Sequence, residues 1–149
     1  MATLLIIAHA PLASALQAVA AHVYPDCGRQ LAALDVGPAA TPEQVADEAR
    51  AALAGLGAEQ ALILTDVFGA TPCNAARALA DGSRVRVVAG VNVPMLWRTL
   101  CYASLPLEEL VARAVAGGGE GVMQVGATPQ QNQGPSAVND DQVKHQHQQ

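Results

Sequence analysis

The chain has 149 residues, of which 51% are hydrophobic and 3% aromatic, and its formal net charge is −5. This length suits one domain with a buried core, and eight Lys and Arg residues exclude a basic nucleic-acid-binding surface. No apolar stretch reaches the roughly 18 residues of a membrane span, and residues 1–8 lack the basic start and small-residue cleavage site of a secretory signal. Three cysteines without a CxxC pair indicate neither a disulfide framework nor a zinc site, so we predict a cytoplasmic protein without membrane insertion.

The predicted elements alternate between strands and helices. Short apolar runs predict strands at residues 4–8, 31–36, 61–65 and 85–89, with a short last strand at 121–125. Apolar residues at helical spacing predict helices at residues 11–23, 41–56, 73–80, 95–102 and 107–116. Thr41 and Gln44 have the spacing of a capping box at the second helix.

This alternation favours an α/β fold with helices on both faces of a mainly parallel sheet, which is a three-layer sandwich. With the first and third strands adjacent, the strand order is 2-1-3-4. Residues 127–149 are polar and rich in Gln. They have too little apolar surface to offset the entropy of ordering, so we predict a disordered tail after a domain at residues 1–126.

A pair of ionisable side chains follows two of the predicted strands. His9 ends the first strand and Asp66 follows the third, so both are expected at the carboxyl edge of the sheet, where open α/β sheets bind ligands. If the two strands are neighbours, the carboxylate can accept the imidazole Nδ1–H and leave Nε2 free as a nucleophile. Thr71, at the start of the next helix, offers a hydroxyl near backbone N–H groups that suit a phosphoryl group.

The same residues also allow structural interpretations. His9 can be a strand-end residue bonded to a backbone carbonyl, and Asp66 can be a turn residue. The pattern alone favours neither these structural roles nor a functional one. Cys73 is either a reactive thiol or a buried structural residue, and the second is favoured. Phe68 is either part of the core or an exposed contact for a partner.

Three segments resemble the mannose-family IIA component of the bacterial phosphoenolpyruvate-dependent sugar phosphotransferase system. The segments are LLIIAHAPLASAL, which contains His9, ILTDVFGATPCNAA, which contains Asp66, and VVAGVNVPML, which contains Asn92. A late segment, ELVARAVAGGGEGV, also fits, so the resemblance covers about residues 2–125. It implies an α/β sandwich that forms a homodimer, with the last strand exchanged or shared between subunits.

The resemblance also implies an activity. His9 would receive a phosphoryl group from the phosphohistidine of HPr and pass it to a IIB component, with Asp66 as the partner of the imidazole. Candidate site-loop residues are Thr71, Gly69, Phe68 and Asn92. No metal or cofactor is expected.

The chain departs from the family pattern near the candidate site. Ala10-Pro11 follows the histidine where the family commonly has Gly, and Val67 stands in place of a hydroxyl residue. Phe68 replaces the usual Trp and Thr71 the usual serine. None of these exchanges removes the phosphoacceptor.

Two other functions compete with this interpretation. The related phosphotransferase subunit of dihydroxyacetone kinase also uses a strand-end histidine, but the VNVPML segment favours the sugar system. A flavodoxin-like ligand-binding module would need a run of Ser, Thr and Gly after the first strand, which residues 10–14 do not supply. Because no IIB domain is evident after residue 126, we expect a separate subunit, serving either sugar uptake or a regulatory phosphorelay.

Overall fold

The computed structural model of the protein describes residues 1–26 and 31–126. Its four strands are β1 (Thr3–His9), β2 (Leu31–Val36), β3 (Ala61–Thr65) and β4 (Val85–Ala89). The five helices are α1 (Leu12–Val23), α2 (Pro42–Gly55), α3 (Thr71–Leu79), α4 (Val93–Cys101) and α5 (Leu107–Glu120). The predicted tail at residues 127–149 lies outside the described residues.

The sheet has the predicted order and direction. Its strands lie in the order β2-β1-β3-β4, and all three neighbouring pairs are parallel. His9 is opposite Val36 on β2, while Ile7 is opposite Thr65 on β3. This register brings the carboxyl ends of β1, β2 and β3 to one edge, where the candidate residues lie.

Helices cover both faces of the sheet and complete the three layers. Because successive side chains of a strand point to opposite faces, β1 contributes to two cores. Leu4 and Ile6 pack in the core formed with α1, α4 and α5, whereas Leu5 and Ile7 pack in the core formed with α2 and α3. The fold class predicted from the sequence is therefore confirmed.

Helix starts show where local signals predict structure well. Thr41 forms the predicted capping box with Gln44, bonding in both directions at 3.1 and 3.2 Å. Helices α3 and α4 begin ahead of the predicted residues 73 and 95, because Pro72 and Pro94 lie within their first turns, where a missing N–H is tolerated. Pro11, predicted inside the first turn of α1, instead precedes the helix as its N-cap.

Helix α5 extends past the predicted end at residue 116 and includes three consecutive glycines. Tertiary packing explains this, because a Cβ on Gly117 would lie 2.7 Å from the Cβ of Arg98 on α4. A Cβ on Gly118 would likewise lie 2.8 Å from the Cε of Met95. Close contact with α4 thus compensates for the low helix propensity of glycine.

Residues 121–125, for which a short last strand was predicted, form no strand in the single subunit. A strand needs a paired neighbour, and no described strand pairs with this segment. Val122, Met123 and Val125 are all exposed. Exchange of this segment between two subunits remains a prediction.

Candidate functional site

His9 is the last residue of a strand that is otherwise buried almost throughout. Residues 4–8 of β1 are fully buried, but the His9 side chain is 52% exposed. The N–H of the next residue, Ala10, donates to the carbonyl of Val36 at 2.9 Å, so the backbone remains attached to β2 after the strand ends. The imidazole is therefore held at the edge of the sheet by a rigid backbone while its ring is open to solvent.

Asp66 follows β3 directly and binds His9 twice. Its Oδ2 accepts the backbone N–H of His9 at 3.0 Å and lies 2.6 Å from the imidazole Nδ1. Its other oxygen, Oδ1, accepts the N–H of Val67 at 2.8 Å. The structure thus brings together the two residues that the sequence analysis paired.

The protonation of Asp66 determines the tautomer of His9. Burial raises the pKa of Asp66, but hydrogen bonds from the His9 backbone, the His9 ring and Val67 outweigh burial and hold that pKa below its ordinary value. Asp66 is therefore ionised at neutral pH and can only accept hydrogen bonds. Nδ1 of His9 must carry the proton, so in the neutral ring the lone pair is on Nε2.

The loop between β3 and α3 is anchored at both ends and exposes an aromatic ring between them. Asp66 holds Val67 at one end, and at the other the Asn74 side chain donates to the carbonyl of Gly69 at 3.2 Å. Gly69 has a φ of +90°, which side-chain-bearing residues rarely adopt. Phe68 is 73% exposed, with the guanidinium of Arg77 5.8 Å from the ring centre. Phe68 is therefore a surface side chain on the loop that follows Asp66, not a core residue.

The start of α3 has backbone N–H groups next to this loop that no described residue accepts. Thr71 is the first residue of the helix, and the preceding residue, Ala70, gives no side-chain cap. First-turn N–H groups have no partner within a helix, so those of Thr71 and Cys73 point out of the helix start. Among the five helices that the structure describes, only α3 has neither a capping side chain nor an acidic residue in its first turn. This helix start is suited to binding an anion.

The structure also shows the contacts or burial of two other residues considered in the sequence analysis, Asn92 and Cys73. Asn92 caps α4, where its Oδ1 accepts the N–H of Met95 at 2.9 Å, and its Nδ2 donates to the carbonyl of Gly118 on α5 at 3.0 Å. The amide oxygen of Asn92 thus caps α4, and its amide nitrogen joins α4 to α5. Cys73 is 2% exposed, which favours its interpretation as a buried packing residue.

The sequence analysis missed a second carboxylate near the site, that of Asp35 at the end of β2. Its Oδ1 accepts the backbone N–H of Ser14, in the first turn of α1, at 3.0 Å. Hydrogen bonds from the Ser14 side chain and backbone, opposed by slight burial, hold the pKa of Asp35 below its ordinary value. Two features of the sequence could have indicated this contact. Asp35 is an acidic residue near the end of a predicted strand, and the N-cap of α1, Pro11, has no side chain that can cap the helix.

Residues 1–26 and 31–126 show neither a metal cluster nor a membrane-spanning helix. These residues contain no group of three or more His, Cys, Asp or Glu side chains placed to hold a metal ion. None of the helices in this part of the chain has the length and hydrophobicity needed to cross a membrane.

Comparison with known families assigns the chain. Residues 3–115 match the family described as "PTS system fructose IIA component". The chain belongs to this family. The mannose-specific EIIAB component of the phosphotransferase system from Escherichia coli K12 is 37% identical over 107 residues, which are 69% of this chain and 33% of the relative. The Shigella flexneri protein of the same name matches equally well. This IIA chain thus spans about a third of the length of these curated relatives.

Solved structures share the fold. The mannose/sorbose-specific IIA subunit from Enterococcus faecalis superposes with a TM-score of 0.76 at 22% identity, covering 85% of this chain and 96% of that one. Component EIIA from Streptococcus agalactiae gives a TM-score of 0.69 at 20% identity, covering 83% and 97%. The predicted membership in the mannose-type IIA family is confirmed, and IIA components are phosphoryl-transfer subunits of the phosphotransferase system.

Proposed function

We propose that this IIA component carries a phosphoryl group on Nε2 of His9, received from the phosphohistidine of HPr and passed to a IIB component. The observation that carries the proposal is the 2.6 Å contact between Nδ1 of His9 and the ionised Asp66. This contact leaves the lone pair on the opposite ring nitrogen of a half-exposed imidazole. Family membership supports the phosphoryl chemistry and the choice of partners.

The transfer step balances without any other reactant. The Nε2 lone pair of His9 attacks the phosphorus of the donor phosphohistidine and forms a new N–P bond. The donor N–P bond breaks, and its electron pair returns to the donor imidazole. Because the His9 ring gains positive charge while Nδ1 keeps its proton, the Asp66 carboxylate stabilises the transition state and the product. Transfer to the IIB component repeats the step with His9 as the donor.

Thr71 and the start of α3 form the proposed phosphoryl-binding side of the site. The Thr71 hydroxyl and the first-turn N–H groups are donors, and the positive end of the helix dipole favours the phosphoryl oxygens. Phe68 and Val67 are exposed on the same loop and supply apolar surface for the partner proteins. We place the reaction in the cytoplasm and expect a homodimer in which residues 121–125 pair with a second copy.

A phosphorylation assay tests this proposal. Incubation with phosphoenolpyruvate, the first enzyme of the phosphotransferase system and HPr should add one acid-labile, base-stable phosphate per chain. His9→Ala should abolish the labelling. His22→Ala is the matched control, because His22 is an exposed histidine of α1 and should not affect labelling. Labelling of the His9→Ala protein, or none of the wild type, would overturn the assignment.

A further inference from the structure

The turn that follows His9 is attached to the end of β2 at two points. The carbonyl of Val36 accepts the N–H of Ala10 at 2.9 Å, and the side chain of the preceding residue, Asp35, accepts the N–H of Ser14 at 3.0 Å. One bond lies just after His9 and the other lies in the first turn of α1. Two consecutive residues of β2 therefore hold both ends of the segment that leads from the imidazole into the helix.

Helix α1 has no cap of its own that would replace this contact. Its N-cap is Pro11, which has no side-chain oxygen, and its first turn has no acidic residue. The Ser14 hydroxyl lies within hydrogen-bond distance of the Pro11 carbonyl, at 3.2 Å, and of Asp35. Because a hydroxyl has one proton, it donates to one of these acceptors at a time, whereas the Ser14 backbone N–H donates to Asp35 in either case. Among the described residues, Asp35 is the only side chain that caps α1.

The two carboxylates hold His9 from opposite sides. Asp66, from β3, binds the imidazole ring and the His9 backbone N–H, whereas Asp35, from β2, binds the backbone that follows. The ring is exposed, so its orientation relative to a docked partner depends on these attachments and not on surrounding core packing.

We propose that Asp35 is a positioning residue for phosphoryl transfer at His9, acting through the first turn of α1. This inference rests on the proposed function of His9. In-line attack on phosphorus requires Nε2 to be placed within a few tenths of an ångström, and a misplacement of about 1 Å costs on the order of 100-fold in rate. A loosened turn should therefore slow the chemical step without weakening the binding of the donor protein.

Two substitutions separate the hydrogen bond from the charge. Asp35→Asn keeps an oxygen in the Oδ1 position and loses the charge, whereas Asp35→Ala removes both. We expect Asp35→Ala to lower kcat for phosphorylation by HPr about tenfold with KM unchanged, because positioning is lost. Asp35→Asn should stay within about twofold of the wild type, because it keeps the bond to Ser14. If Asp35→Ala does not fold, Asp35→Gln, whose amide is displaced by one methylene, replaces it with the same expected loss.

Thr41→Ala provides the matched control, since it removes the N-cap of α2 in the way that Asp35→Ala removes the cap of α1. Both variants lose a helix cap, but only Asp35→Ala should lower kcat. Equal kcat values for the two variants would overturn the proposal, as would an Asp35→Asn protein as slow as Asp35→Ala.

A second measurement distinguishes failure of this proposal from failure of the phosphocarrier function. In the proton NMR spectrum, the His9 Nδ1–H bonded to Asp66 should be observable in the wild type and in Thr41→Ala. In Asp35→Ala it should be broadened by exchange. An unchanged signal in Asp35→Ala would refute positioning by Asp35, whether or not the wild type accepts phosphate. Failure of the wild type to accept phosphate would instead refute the proposed function of His9.

Discussion

Replacing Asp66 by Asn tests how the carboxylate contributes to the reaction. The carboxylate uses Oδ2 for the two His9 contacts and Oδ1 for the N–H of Val67. An amide has one oxygen and one NH₂ group and cannot accept at both ends. If the amide oxygen faces His9, the amide NH₂ faces the N–H of Val67, so two donors lie together without an acceptor. If the NH₂ faces His9, Nδ1 must become the acceptor. The second arrangement moves the ring proton to Nε2 and removes the nucleophilic lone pair.

The expected loss of rate follows from the charge on the lost acceptor. A hydrogen bond to an ionised group contributes about 1.5–3 kcal/mol and one between neutral groups about 0.5–1.5 kcal/mol. Asp66 is 14% exposed, so water screens the difference only weakly. Loss of about 1–1.5 kcal/mol of transition-state stabilisation corresponds to a slowing of about 5- to 12-fold, and the wrong tautomer would slow the reaction further.

Single-turnover transfer of label from phosphorylated HPr, compared between Asp66→Asn and the wild type, measures this rate. Nitrogen NMR of the His9 ring reports the tautomer in the same samples. Asp81→Asn is the matched control, because Asp81 also accepts backbone N–H groups but lies in the turn before β4, at the opposite edge of the sheet. A wild-type rate in Asp66→Asn, or an equal slowing in Asp81→Asn, would refute the reasoning.

Three further predictions concern stability and assembly. Gly117→Ala should lower the free energy of unfolding in urea by about 1–3 kcal/mol through overpacking against α4, whereas Gly119→Ala, which has open space around it, should raise it by up to about 1 kcal/mol. Backbone N–H groups of Val85, Ser83 and Arg84 lower the pKa of Asp81 to about 2. As the pH falls, the Asp81 carboxylate is therefore protonated at a higher pH in the unfolded chain than in the folded one. Stability should therefore fall as the pH drops from about 4 toward 2, and Asp81→Asn should flatten that dependence in acid-titrated urea melts. Light scattering at micromolar concentration should show a dimer that survives deletion of residues 127–149 and is weakened by deletion from residue 121; a wild-type monomer would contradict this.

The strands and their order were predictable because their signals are local or follow from a simple rule. Short, mostly apolar runs predicted β2, β3 and β4 at their observed bounds. The signal is clearest for β3, which is buried at all its positions, as expected for a central parallel strand that is covered on both faces. The pairing of His9 with Asp66 then followed from placing β1 beside β3. The end of α5 was not predictable in this way, because three glycines indicate a helix stop unless one knows that α4 packs against them.

The sequence could not predict the contacts of side chains that bond to a different helix or strand. Asn92 and Asp35 each cap a helix start, and each depends on a contact that no local pattern contains. Asn92 caps its own helix but also bonds to Gly118, 26 residues away, which only the packing of α5 makes possible. Asp35 caps a helix that begins 23 positions before it, because parallel pairing sets Ala8 opposite Asp35 and so brings the end of β2 to the start of α1. Thr41 directly precedes the helix that it caps, so a local pattern shows it, whereas Asp35 lies on another strand. In a parallel sheet, the carboxyl end of a neighbouring strand can therefore supply the acceptor that caps the helix after a candidate catalytic residue.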